Sequence, residues 1–135
     1  MHNDPLTGRW ALDSGASQFS MPSPLVWILN VSAYETGMTV EENLTQADGT
    51  ALRVTFAPQF DGSDYPVHGS PIMDSISIVR RSERLLEACA RKAGAISMRD
   101  TTEVSEDGQT LTVSFSMFSA EQTVATGTAV FRRAQ

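Results

Sequence analysis

The sequence predicts an all-β protein, an antiparallel up-and-down β-barrel of about eight to ten strands. Segments of alternating apolar and polar residues follow one another along almost the whole chain. Short turns join them, and two of these turns contain the Asp-Gly pair typical of hairpins, Asp48-Gly49 and Asp107-Gly108. Consecutive hairpins form a meander, and a long meander loses its exposed edges when it closes into a barrel.

Period-two alternation predicts about nine strands, over residues 8–13, 25–35, 38–45, 52–60, 75–80, 84–92, 96–104, 110–117 and 123–133. Segment 84–92 contains several good helix formers, and we interpret it as a strand because its neighbours are strands. Residues 14–24 mix Ser, Gly and Pro. They accommodate at most one helical turn, starting at Ser14, which would cover an open end of the barrel.

Residues 60–71 are the longest stretch with neither strand nor helix periodicity. The stretch holds two prolines, two glycines, Tyr65 and His68. A long irregular segment inside a compact domain is usually functional or disordered, and loops on rigid scaffolds carry much of the chemistry of proteins. We therefore expect the barrel to open near residues 60–73.

Length and charge exclude several classes of protein. The 135 residues are expected to form a single domain, 1–135. The net charge of −6 and the pI near 4.7 argue against nucleic-acid binding, which requires clustered Lys and Arg. A lone Cys89 excludes an internal disulfide, and His2 and His68 lie too far apart for a local metal motif. We expect no metal and no cofactor.

No apolar run is long enough to span a bilayer, and residues 1–5 lack the features of a signal peptide. As the chain stands we expect a cytoplasmic protein, with a mature periplasmic or secreted form as the alternative. A homodimer is left open.

The two ends of the predicted meander resemble the calycin pattern of lipocalins and fatty-acid-binding proteins. Gly8-Arg9-Trp10 lies on the first strand, and Arg132 and Arg133 lie near the end of the last. In those families the tryptophan lies at one barrel end and a C-terminal arginine packs across it. The resemblance implies the same arrangement here.

A second resemblance covers roughly residues 6–135 and includes residues 60–71, 74–77 and 107–112. These are similar to a group of small lipocalin-like bacterial proteins, often exported, most of which have no assigned function. The resemblance implies the barrel and no reaction. The chain departs from fatty-acid-binding proteins, because residues 14–24 are too short for their two-helix lid. Ala129 and Phe131 stand where those proteins have the Arg-x-Tyr pair that holds a carboxylate.

Three residues are candidates for acid–base catalysis. The pKa of an ordinary histidine lies near neutrality, so His68 is a candidate base. Tyr65 can donate a proton, and the alternative for both residues is a loop held by its own turn chemistry. Glu42 shares a strand face with Val40 and Leu44, so it is expected to point inward as an acid or base with a raised pKa. An edge position facing water is the alternative for Glu42.

A second set of residues is predicted to line a ligand cavity, because aromatic and soft apolar side chains line such sites. They are Trp27, Tyr34, Phe56, Phe60, Met73, Met98, Phe115 and Met117, with Arg80 and Arg99 as anchors for an anionic group. Ordinary core packing is the alternative for the apolar residues. For Arg80, Arg91 and Arg99 the alternative is an outward ladder paired with Glu87, Glu103 and Asp100.

We therefore expect a barrel that binds a small, largely apolar or amphipathic molecule. One alternative is a cofactor-independent isomerase, cyclase, lyase or hydrolase that uses His68, Tyr65 and Glu42 at the barrel mouth. The other is a protein-interaction module, whose mark would be an exposed apolar patch with no internal pocket.

Overall fold

The computed structural model describes residues 4–134, so His2 lies outside the described residues. Within that range the chain forms eleven strands and one three-residue 3-10 turn, Ser14–Ala16. The strands are β1 (Gly8–Leu12), β2 (Gln18–Phe19), β3 (Val26–Tyr34), β4 (Gly37–Thr45), β5 (Ala51–Phe56), β6 (Tyr65–His68), β7 (Ser75–Ser82), β8 (Leu85–Lys92), β9 (Ala95–Val104), β10 (Thr110–Ser119) and β11 (Gln122–Ala134).

The predicted closed barrel is confirmed. From β3 to β11 each strand pairs antiparallel with the next, and β1 pairs with both β3 and β11. The register at the closing seam runs from Arg9 opposite Ala134 to Leu12 opposite Phe131. Ten strands therefore form the ring, with β2 as a short addition beside β11. Segment 84–92 is a strand, β8 (Leu85–Lys92), as its neighbours indicated.

The edge of β11 continues beyond the reach of β1, since β1 has 5 residues and β11 has 13. The segment after β1 covers the backbone of β11 from Thr126 to Val130. The hydroxyl of Ser17 accepts a hydrogen bond from the Val130 amide at 2.8 Å, and the hydroxyl of Ser20 accepts one from the Thr126 amide at 2.8 Å. Residues 14–24 thus contain the single turn that was predicted, Ser14–Ala16, and lie at one end of the barrel.

The prediction that residues 60–71 lack regular structure is wrong for Tyr65–His68, which form β6. Two residue pairs join β6 to β5 and two join it to β7, so this is a narrow part of the wall. Val67 is the only buried residue of the strand, and Pro66 has no amide hydrogen to donate. A strand with one interior side chain shows no alternation in the sequence, which explains the error.

One end of the barrel is closed by apolar side chains. Trp10, Phe131 and Leu6 are each no more than 1% exposed, and the Trp10 indole N–H donates a hydrogen bond to the Leu6 carbonyl at 3.0 Å. The guanidinium of Arg133 lies 4.3 Å from the centre of the Trp10 ring and donates to the carbonyls of Thr7 and Pro5. This is the arrangement that the calycin resemblance implied, and the fold agrees with a lipocalin-like barrel.

The start of the loop that follows β6 depends on a glycine. Gly69 has a φ of +88°, and a Cβ atom there would collide with the carbonyl oxygen of Arg53. Gly49 has nearly the same φ, +90°, but a Cβ atom there would meet nothing within 4 Å. A side chain at either position would therefore require a left-handed backbone, but only at Gly69 would it also collide with a neighbouring strand.

Replacement of each glycine by alanine separates these effects. Gly49→Ala should lower the free energy of unfolding by about 1 kcal/mol, the cost of a left-handed backbone for an L residue. Gly69→Ala should cost at least about 2 kcal/mol more, because the backbone of β5 must move. Urea denaturation followed by circular dichroism measures both, and equal losses would contradict the predicted clash.

Candidate functional site

The barrel encloses a cavity of about 570 Å³. Its lining is mostly apolar and comes from the inward faces of the wall strands, with Leu6 and Leu111 at the closed end. At the other end the lining includes the exposed residues Pro22, Ala47 and Pro71, which frame a mouth. A largely apolar concavity of several hundred Å³ with a few polar groups is typical of sites for small molecules.

Three connections frame this mouth: segment 14–24, the turn between β4 and β5, and the segment between β6 and β7. Of the stretch 60–73 that was predicted to border the opening, only residues 70–73 line the cavity. Residues 60–68 do not line it. Phe60 lies towards the closed end, and Val67, the one buried residue of β6, is not among the lining residues. Residues 70–73 are therefore the part of the predicted stretch that borders the mouth.

Glu42 projects into the cavity from β4. Strand alternation places it on the same face as Val40 and Leu44, which also line the cavity. The indole N–H of Trp27 on β3 donates a hydrogen bond to Oε1 of Glu42 at 2.8 Å. Burial in apolar surroundings raises the pKa of the Glu42 carboxyl, and the hydrogen bond from Trp27 opposes this by stabilising the anion.

Asp100 projects into the cavity from β9, between Met98 and Thr102 on the same face. Burial among apolar groups raises the pKa of its carboxyl to about 7, and the negative charge of Glu42 adds to this effect. The Thr102 hydroxyl donates a hydrogen bond of 3.4 Å to Oδ1, which opposes the shift. The part of Asp100 that is accessible to solvent faces the cavity.

The strand order places Glu42 and Asp100 on opposite walls. In the ten-stranded ring β9 is five strands from β4 in either direction, counting through β5 to β8 or through β3, β1, β11 and β10. A molecule in the middle of the cavity would therefore lie between two carboxyl groups. In a dry interior two acids of this kind can bind hydrogen-bond donors or exchange protons with a bound molecule.

Seven residues that were proposed from the sequence line this cavity. They are Glu42, Trp27, Phe56, Met73, Met98, Phe115 and Met117. All of them come from strand faces or from the loop after β6, so the alternation pattern brings them together once the barrel closes.

Tyr65 and His68 do not line the cavity. The Tyr65 hydroxyl donates a hydrogen bond to Asp61 at 2.7 Å, and this bond raises the pKa of Tyr65 and lowers that of Asp61. His68 is exposed and borders a shallow groove on the outer wall. Neither residue can reach a molecule inside the barrel from these positions, so the structure does not combine them with Glu42.

Tyr34, Phe60, Arg80 and Arg99 also lie outside the cavity lining. Tyr34 accepts a hydrogen bond from Gln59 at 2.8 Å, and Phe60 packs under the guanidinium of Arg80 at 5.4 Å. Arg80 forms a two-bond ion pair with Asp4. Arg99 is exposed.

The alternative of an outward ladder that pairs Arg80, Arg91 and Arg99 with Glu87, Glu103 and Asp100 is wrong in its pairs. Arg80 pairs with Asp4, Arg91 approaches Asp64 at 3.7 Å, and Glu87 pairs with Arg81 at 3.0 Å. Asp100 was expected to belong to this ladder, and that expectation is wrong because Asp100 points into the barrel.

Asp100 is the main residue of the site that the sequence reasoning missed. The signal was present, because Asp100 interrupts a face formed by Ile96, Met98, Thr102 and Val104. Glu42 interrupts an apolar face in the same way. A lone acid on an otherwise apolar strand face indicates an inward carboxyl more strongly than an outward ion pair.

Comparisons with known proteins do not assign this chain to a family. No family model matches the sequence, and no curated protein matches it. Among residues 4–134 no group of three or more His, Cys, Asp or Glu side chains could hold a metal ion. Within the same residues no helix is sufficiently long and apolar to cross a membrane.

The raised pKa of Asp100 predicts a pH-dependent stability. The pKa is 3.8 in an unfolded chain and about 7 in the barrel, so the folded state holds a proton that the unfolded state has lost between these values. The free energy of unfolding of the wild type therefore falls as pH rises from about 4 to 7, because ionisation of Asp100 favours the unfolded chain. Asp100→Asn cannot ionise and avoids this loss. Its free energy of unfolding should exceed that of the wild type by at least about 1 kcal/mol at pH 8 and match it near pH 4.

Urea denaturation at pH 4, 6 and 8 measures the difference. Glu103→Gln is the matched control, because it also removes one negative charge from β9 but on the exposed outer face. The control should show no comparable gain at pH 8. A gain for Asp100→Asn that is the same at all three pH values would contradict the assigned cause.

Proposed function

We propose that this protein binds a small, largely apolar molecule inside its barrel. The observation that carries the proposal is the cavity of about 570 Å³, open at one end and lined mostly by apolar side chains. Protein interiors are normally packed with few voids larger than a water molecule, so a hollow of this size requires an explanation. An occupant that fills it provides one.

The energetics agree with such a role. Each Å² of apolar surface that leaves water contributes roughly 25 cal/mol, so a ligand that buries about 300 Å² gains several kcal/mol before the cost of its lost motion. The polar groups in the lining then decide orientation and selectivity. The closed end, with Arg133 across Trp10, supports a proposed kinship with small lipocalin-like bacterial proteins.

A second candidate function is cofactor-independent acid–base catalysis in the same cavity. The observation that favours it is the pair of inward carboxyls on opposite walls, with the pKa of Asp100 raised to about 7. A carboxyl with such a pKa can exchange a proton at neutral pH. In this version Glu42 and Asp100 act on the bound molecule, while Tyr65 and His68 are too remote to take part.

The protein-interaction alternative has less support. Its distinguishing mark is an exposed apolar patch without an internal pocket. Large apolar side chains are exposed at Leu25, Val26, Tyr34 and Val124, but the barrel also has an internal cavity.

Native mass spectrometry of freshly purified protein tests the binding proposal. A mass increment that disappears on denaturation would reveal a retained small molecule. If the recovered molecule is unchanged after prolonged incubation, binding is favoured, and if it is converted by the wild type but not by Asp100→Asn, catalysis is favoured.

A cavity-filling variant tests the location of the site. Ala88 lines the cavity next to Asp100, so Ala88→Phe should reduce the affinity for the neutral apolar dye diphenylhexatriene at least tenfold by occupying its space. Ala51→Phe is the control, since Ala51 is an exposed strand residue. The affinity of this variant for the dye should equal that of the wild type. Fluorescence titration measures both, and undiminished binding by folded Ala88→Phe would place the dye elsewhere.

A further inference from the structure

The ionisable side chains that line the cavity are all carboxylic acids. Glu42 and Asp100 lie in its middle and Asp48 lies at its mouth, and the described lining contains no Lys, Arg or His. The remaining polar side chains of the lining are Gln46, Ser70 and Thr102, which are neutral. Within the described part of the chain, a ligand in this site therefore meets carboxyl groups and no positive side chain.

The nearby arginines are held on the outside by other partners. Arg53 pairs with Glu41 on the outer face of β4 and β5. Arg80 is bound to Asp4, and Arg133 is stacked on Trp10. None of these guanidinium groups lines the cavity, so no positive side chain among residues 4–134 lies beside the inward acids.

The hydrogen-bonding capacity of the two inward acids is largely unused. Among the described residues, Glu42 receives one side-chain hydrogen bond, from Trp27, and Asp100 receives one, the long bond from Thr102. A carboxylate has about four acceptor positions. A charge in an apolar interior is costly unless it is paired and hydrogen-bonded, so the site favours a ligand that brings both a positive charge and N–H donors.

We propose that the ligand is an apolar amine whose ammonium group lies between Glu42 and Asp100 while its hydrocarbon body occupies the apolar part of the cavity. This inference rests on the proposed binding function and specifies its ligand class. An ammonium carries up to three donors, which suits two acids on opposite walls. Trp27, bonded to Glu42, and Phe115, the strand neighbour of Asp100, add aromatic surface that attracts cations.

The same geometry disfavours fatty acids and other anions. A carboxylate in the middle of the cavity would face two acids, and like charges in a poorly solvated site repel strongly.

Three probes with the same ten-carbon chain test the proposal: decylamine, decan-1-ol and decanoic acid, titrated calorimetrically at pH 7.5. In the wild type the amine should bind at least tenfold more tightly than the alcohol, and the acid should bind more weakly than the alcohol. In Glu42→Gln/Asp100→Asn the advantage of the amine over the alcohol should fall below threefold, while the affinity for the alcohol changes less than twofold.

The control variant is Glu41→Gln/Glu103→Gln. Like the inner double variant, it removes one negative charge from β4 and one from β9, but on the outer faces of these strands. It should retain the tenfold preference, because general attraction of an ammonium to an acidic protein is not the proposed cause. If the inner double variant does not fold, Asp100→Asn alone, compared with Glu103→Gln, should reduce the preference at least threefold.

The outcomes separate the two proposals. If the alcohol binds and the amine binds no better, the amine inference is overturned and the binding function stands. A preference of equal size in the inner and outer double variants also overturns the inference. If none of the three probes binds to the folded wild type, the proposed binding function itself fails.

Discussion

The pairing of β1 with β11 is the constraint on which the rest of the molecule depends. Four residue pairs, from Arg9–Ala134 to Leu12–Phe131, turn a meander into a ring and leave no long open edge. Asp13 and Ser17 extend the seam by bonding to Arg132 and to the backbone of Val130. Only in the closed ring do all inward strand faces share one interior.

Closure of the ring explains both the packed closed end and the cavity. A barrel of about eight strands is just wide enough for side chains to fill, or to hold one small ligand, and this ring has ten strands. The large side chains of Trp10 and Phe131 fill one end. The middle and the other end are too wide for the remaining side chains to meet, so a cavity persists there.

The cavity in turn determines the chemistry of the acids. Glu42 and Asp100 would be ordinary carboxyls on an outer strand face, and their pKa values are raised because the apolar wall replaces water around them. The same surroundings make their unpaired charges costly. Electrostatic character inside the barrel is therefore a consequence of the fold rather than of neighbouring residues in the chain.

Residue alternation was sufficient to predict the barrel, the order of its strands and the inward direction of Glu42, because the side-chain period of a strand is local. It failed at β6, because a strand with one buried residue, Val67, shows no alternation. The predicted mouth, residues 60–73, was therefore too wide, since only residues 70–73 line the cavity. It also left Asp100 outside the site, although the same face contains Met98 and Val104.

The sequence by itself determined which face of each strand is apolar, and its resemblance to calycins implied that Trp10 and a C-terminal arginine meet at one barrel end. Only the tertiary structure decided that Glu42 and Asp100 oppose each other across a hollow and that His68 lies on the outer wall. The physical reason is that local alternation specifies a direction, inward or outward. Which inward residues meet depends on the number of strands and their register around the ring, and these are properties of the closed sheet.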